Sequence, residues 1–136
     1  MKSVLFMKKW GIVLSMITLL IGCSAKDNST KSMMQGIWVL ESCSDAQEPN
    51  IILSDCERKT FYQFGDDFVF HSLSFEEEGK CQTIVSKNSS YRVEGNQVYI
   101  NDDENLSILV EGDKLTTHTT TKRSFDPVVN VYRKMK

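Results

Sequence analysis

From Gly36 to Arg133 the chain is a succession of eight short runs rich in aromatic and β-branched residues, separated by turn-forming residues at short intervals. The runs are 36–43, 59–64, 68–75, 81–93, 97–100, 106–110, 114–121 and 128–133. Such a pattern specifies strands. In the sixth run Leu106, Ile108 and Val110 share one parity with Ser107 on the other, the period of a strand buried on one face; Leu109 interrupts that alternation. The fourth run is broken by Lys87-Asn88-Ser89-Ser90, which predicts a bulge or bend. No segment sustains a 3.6-residue period, so helix is confined to short pieces, with 49–53 the one place expected to hold one.

The connections alternate in character. Gly65-Asp66-Asp67, Glu94-Gly95-Asn96 and Glu111-Gly112-Asp113 suit tight hairpins, whose residues must tolerate positive φ. Residues 44–58, 76–80 and 122–127 make longer connections, and 101–105 is intermediate. In an up-and-down sheet alternate connections fall at opposite ends, so the tight turns close one end and the longer loops surround the other. The expectation is an all-β fold, an eight-stranded antiparallel up-and-down barrel that removes its sheet edges by closing. At that strand number the interior holds packed side chains or one small ligand.

Two pairings follow from this geometry. The first strand starts at the closed base and the eighth ends there, so Trp38 and Arg133 are expected to meet, a guanidinium over an indole face. Cys43, Cys56 and Cys81 all fall at the mouth. The preferred bridge is Cys56–Cys81, tying the long first loop to the far hairpin, with Cys43–Cys56 next and Cys43–Cys81 last. The cysteines do not form a zinc pattern, because C-x-x-C is lacking and His71 and His118 stand alone. No metal or cofactor is expected.

The N-terminus has a separate role. Lys2, Lys8 and Lys9 precede an apolar stretch from Gly11 to Ile21, which ends in Leu20-Ile21-Gly22-Cys23. This is the layout of a secretory signal, too short for a comfortable membrane span of about 20 apolar residues. Its last four residues resemble the lipobox of bacterial lipoproteins. That resemblance implies lipidation of the Cys23 sulfur, cleavage before Cys23, and acyl chains of the palmitate kind as a lipid anchor. The expected organisation is a signal peptide over 1–22, the lipidated cysteine and a polar flexible tether over 23–33, and one barrel domain over 34–136. The leader would take three of the 16 basic residues, leaving 13 against 18 acidic ones. A basic patch for nucleic acid is not seen. Glu76-Glu77-Glu78 and Asp102-Asp103-Glu104 read as solvated turns.

Gly36-Ile37-Trp38 resembles the G-x-W motif that opens lipocalins. Val129-Asn130-Val131-Tyr132-Arg133-Lys134 is similar to the last strand of small lipocalin-like lipoproteins of the Bacteroidota. Asp55-Cys56 with 61–67, followed by a second cysteine some two dozen residues on, fits the same group. The resemblance implies a calycin-type barrel that binds something small and apolar. Gly36 and Trp38 would be its structural motif, with Arg133 the basic residue packed on the tryptophan. The chain is shorter than most lipocalins and lacks a T-D-x-x-Y segment between the sixth and seventh strands. Lys26-Asp27 resembles the export tag of surface lipoproteins in the same bacteria, which implies surface display.

Phe61, Tyr62, Phe64, Phe68, Phe70 and Phe75 concentrate aromatics on the second and third strands. They read either as the core of a small barrel or as the lining of a ligand pocket, and Phe61, Phe68, Phe70 and Tyr91 are the candidate ligand contacts. Phe68 and Phe70 share one face; Val69, His71, Leu73 and Phe75 share the other, and parity alone does not choose between them. Leu115, Thr117, Thr119 and Thr121 share a face of the seventh strand, where threonine serves as a strand former or as a headgroup ligand. A nucleophile with a partnered base is not visible, so no enzyme is expected. The expected role is a lipid-anchored protein of the bacterial envelope, in the outer membrane, binding a small hydrophobic ligand. The alternative is a filled barrel that contacts an envelope or host protein through loops 44–58 and 122–127.

Overall fold

A computed structural model describes residues 24–121 and 124–136. The expected signal peptide, Cys23 and Lys122-Arg123 lie outside the described residues. Helix α1 (Ser24–Met34) leads into nine strands: β1 (Gly36–Ser44), β2 (Phe61–Phe64), β3 (Phe68–Glu77), β4 (Lys80–Val85), β5 (Ser89–Glu94), β6 (Gln97–Ile100), β7 (Leu106–Glu111), β8 (Lys114–Thr121) and β9 (Ser124–Lys134).

All pairings are antiparallel. Starting from β1 they run through β2, β3, β5, β6, β7, β8 and β9 and return to β1, which closes a barrel of eight strands. The ninth strand comes from the interruption read at Lys87-Asn88-Ser89-Ser90: the fourth run is split into β4 and β5, both of which pair with β3. β4 takes the mouth half of β3 and β5 takes its base half. Among the described residues β4 has no second strand neighbour, so the wall is slotted beside it.

The ends of the barrel are as the turns imply. Gly95 and Gly112, both at φ 63°, open two-residue loops at the base. Residues 45–60 form the long connection at the mouth. Two expectations there are corrected. The segment 76–80 is not a longer loop, because the strands run out to a two-residue turn at Glu78-Gly79. The helical piece in the first connection is a 3-10 turn at Glu57–Lys59, and 49–53 instead supplies an isolated bridge from Ile51 to Cys43.

Residues 24–32 were expected to form an unstructured tether, but they are part of α1. Their composition does little to favour a helix; the barrel caps it. The Trp38 indole N–H donates to the Met34 carbonyl (2.7 Å), and the Lys134 ammonium donates to the Met33 carbonyl. These side chains satisfy carbonyls that a helix C-terminus leaves open. Lys31 pairs with Asp67 in the β2–β3 turn (3.0 Å), and Gln35 donates to Asp66. Gly36, at φ 125°, makes the turn from α1 into β1, and a Cβ there would lie 3.2 Å from the Lys134 side chain.

The base is solidly packed. Trp38, Phe64, Val69, Val98, Ile108, Leu115 and Tyr132 are almost wholly buried, with Met34 of α1 closing the end. The expected contact between Trp38 and Arg133 is corrected by one residue. Trp38 pairs with Lys134, whose ammonium lies 5.6 Å from the indole centroid. Arg133 has the opposite parity and faces solvent, where it pairs with Glu41 (2.7 Å) and Asp113 (3.1 Å).

Candidate ligand-binding site

Strand alternation settles which residues enter the barrel. On β2, Tyr62 and Phe64 point inward, which places Phe61 and Gln63 outside. β3 pairs Tyr62 with His71 and Phe64 with Val69, so Val69 and His71 turn inward. Nearer the mouth Leu73 is 42% exposed while Ser72 and Ser74 are buried, and Leu73, Ser74 and Phe75 all border the mouth hollow. Phe68 and Phe70 belong to the outer face. On β8 and β9 the inward residues are Leu115, Thr117 and Thr119, opposite Tyr132, Asn130 and Val128.

Of the candidate contacts, Phe61, Phe68 and Tyr91 line neither hollow of the cup, whereas Phe70 lines the one at the wall slot. Phe61 and Phe70 meet edge to face on the outer surface (6.0 Å), and only Phe70 reaches the border of a hollow. Phe68 is 39% exposed and lies over Gly65. Tyr91 is buried in the base, where its hydroxyl donates to the Gly65 carbonyl (2.6 Å) and its ring packs edge-on against Phe64.

The open half of the barrel contains two hollows. One, of about 240 Å³, lies under the mouth between Leu40, Leu53, Leu73, Phe75, Val128 and Tyr132, and also touches Cys43, Glu57, Thr60, His71, Ser74 and Asn130. The second, of about 150 Å³, opens at the wall slot between Ser86, Ser89, Ile100 and Leu106, with Tyr62, Val69, Phe70 and His71 behind it. His71 lines both. A larger groove of about 310 Å³ runs over the β6–β7 turn and is lined by Arg92, Asp102, Asp103 and Glu104. Val98, Tyr99, Leu106 and Ile108 line it too, but it carries three acidic side chains, of which Asp102 already holds Arg92 (3.2 Å), a charge density that neither hollow of the cup has.

His71 is held from several directions. Its ring stacks on Tyr62 (centroids 4.2 Å apart, planes at 15°) and meets Tyr132 edge-on at 6.5 Å. Its backbone N–H donates to the Ser86 hydroxyl and its carbonyl accepts from the Ser86 N–H, both at 2.8 Å. The break between β4 and β5 thus clamps this residue. Burial lowers the imidazole pKa from 6.5 to about 4, so the ring is neutral at pH 7. Its Nε2 is buried and has no hydrogen-bond partner among the described residues.

Cys43 enters the cup because of a bulge. Leu40 pairs with Tyr132 and Ser42 with Val131, so Glu41 is an extra residue and the parity of β1 changes there. Burial is the main reason the Cys43 thiol titrates above its ordinary value, with Asp45 and Glu57 adding to it. Burial also pushes Tyr62 up to about 12 and raises Tyr132, whose rise is reinforced by Tyr62 and Cys43. Cys43, Tyr62, His71 and Tyr132 are therefore uncharged at neutral pH.

The mouth is held by a disulfide between Cys56 and Cys81, the preferred pairing of the three. It ties the 3-10 turn to β4, and Ser54 and Glu57 close that turn, each backbone N–H donating to the other residue's side-chain oxygen. Leu53 is folded inward by this loop, whereas Ile52 is 87% exposed. Phe125, expected in a longer mouth loop over 122–127, lies instead in β9, which already starts at Ser124, and its side chain is outside the described residues. Sequence reasoning placed Tyr62 among the aromatics of core or pocket without naming it a contact, left His71 on a face that parity did not choose, and did not name Tyr132 or Cys43 as site residues. For the first three the signal was present: once Trp38 is placed inside, the register of β1, β2, β3 and β9 fixes their parity. For Cys43 there was no signal, because the bulge at Glu41 leaves no mark in the local pattern.

A closed antiparallel barrel with a filled base, a capping helix and an apolar hollow at the mouth is a cup-shaped binding fold. The lipocalin-like domain family matches residues 34–129, and the chain belongs to that family. No curated protein matches the chain.

Proposed function

We propose that this protein is a lipid-anchored binder of a small hydrophobic ligand at a bacterial cell envelope. The observation that carries the ligand reading is the apolar hollow beneath the mouth, walled by Leu40, Leu53, Leu73, Phe75 and Val128, in a chain of the lipocalin-like family. Binding is burial of apolar surface in a preformed cup, at roughly 25 cal/mol per Å² removed from water. It involves no covalent step, and we propose no catalysis.

The anchor reading is supported by Leu20-Ile21-Gly22-Cys23 behind a basic and apolar leader. Cys23 immediately precedes α1, which joins the barrel at its base. A lipid there would leave the mouth on the aqueous side. We place the anchor in the outer membrane, with Lys26-Asp27 supporting surface display. Ile52, Ile84 and Val85, each more than half exposed around the mouth and the β4 edge, favour a second reading in which this rim contacts an envelope or host protein.

Native mass spectrometry of the full chain purified from cells tests the ligand reading. A lipid-like adduct released by organic extraction is expected, and a clean apo mass with no uptake of added alkyl probes would contradict it. Cys23→Ala should release the protein from membranes, and unchanged membrane association would sink the anchor.

A further inference from the structure

Building on the cup reading above, we infer that the ligand is an uncharged apolar molecule bearing a hydroxyl, and that His71 Nε2 is the group that receives it. The first support is the position of His71, which is the residue common to the mouth hollow and the hollow at the wall slot alongside the Tyr62–Tyr132 pair. A chain entering by either opening reaches the same nitrogen.

The second support is that the nitrogen is buried and unpartnered among the described residues, while the rest of the residue is fixed. Stacking on Tyr62 and the two backbone bonds to Ser86 leave the ring little freedom. A buried polar atom without a partner costs stability, and a ligand that supplies the bond recovers that cost. The arrangement is preorganised for one hydrogen bond inside an apolar wall.

The third support is charge. Neither hollow is lined by a lysine or arginine, and their one acidic side chain is Glu57. A carboxylate or phosphate drawn to His71 would be desolvated without a counter-cation and would share the mouth hollow with Glu57. Burial keeps the imidazole neutral, so it offers no charge of its own. A Glu57 oxygen is already engaged by the Ser54 N–H (2.8 Å), which closes the 3-10 turn. A hydroxyl both donates and accepts, so it satisfies Nε2 in either imidazole tautomer.

The test is isothermal titration of the full chain in lipid nanodiscs, corrected with empty nanodiscs, using n-octanol, octanoate, n-octylamine and n-octane at neutral pH. Octanol should bind about tenfold more tightly than octane, and octanoate more weakly than octanol by at least as much. His71→Phe, which keeps the aromatic stack, should bring octanol down to the octane level and leave octane unchanged, with thermal melting as the check that the variant folds. If octanoate or octylamine matches octanol, or if folded His71→Phe binds octanol as before, the inference is overturned while the cup stands. Should none of the four bind, octane included, the cup reading falls with it. The wild-type ranking decides the matter even if the variant does not fold.

Discussion

The imidazole of His71 lies flat on the ring of Tyr62, with centroids 4.2 Å apart, where the two hollows of the cup meet. Burial holds this imidazole neutral, with a folded-state pKa of about 4 against an ordinary 6.5. On acidification the unfolded chain therefore takes up the proton first. Stability rises with pH across the window from about 4 to 6.5 and is lost as pH falls through it. Between neutral pH and about pH 5 the loss is about 2 kcal/mol. Tyr62, Tyr132 and Cys43, the other titratable groups around the ring, remain neutral throughout. Urea unfolding of wild type and His71→Phe at the two pH values checks this: the variant should show a smaller acid loss by that amount. Equal losses would place the imidazole in solvent.

The Cys56–Cys81 bridge closes a 25-residue separation and fastens the mouth loop to β4, a strand with only one strand neighbour among the described residues. Replacing both cysteines with serine should lower unfolding free energy by about 3 kcal/mol in the chain-entropy account. The same change should weaken octanol binding, because Leu53, a wall of the cup, is carried by that loop. Urea melts and titrations on one preparation test both statements.

At the base, Arg133 and Lys134 exchange the roles assigned from the motif. Arg133→Ala should leave the urea midpoint close to that of wild type, since its ion pairs with Glu41 and Asp113 are exposed. Trp38→Ala should cost about 3–5 kcal/mol, through loss of a fully buried ring. It also removes the indole donor from the end of α1, so the far-UV helix signal should fall as well. A large cost for Arg133→Ala with an intact Trp38 would restore the guanidinium to the indole face.

Much of the barrel was legible because its signals are local. The alternation at Leu106, Ile108 and Val110, the glycine turns at Gly95 and Gly112, and the break at Lys87-Asn88-Ser89-Ser90 each act within a few residues. What was missed depends on partners distant in sequence. α1 forms where Trp38 and Lys134 cap its carbonyls, and no pattern within residues 24–34 announces them. The one-residue error at Arg133 is a register error, and in a strand one residue exchanges the core for solvent. The aromatic-rich faces were misread for the same reason: Phe61, Phe68 and Phe70 look like a lining until the pairing of Tyr62 with His71 turns them outward.

Cys43 gives an internal reporter of the cup. Its thiol titrates above the ordinary value and lines the mouth hollow, so it should alkylate with iodoacetamide more slowly than an exposed cysteine. Saturating octanol should slow it further. Alkylation that octanol leaves unchanged would place the ligand elsewhere.

The most direct test of the account is to locate the probe on the protein. In methyl and aromatic NMR spectra of the full chain titrated with n-octanol, the account predicts shifts at Leu40, Leu53, His71, Leu73, Val128 and Tyr132. Shifts confined to Phe61 and Phe68 on the outer face, or to the groove at Arg92 and Asp102, would contradict it.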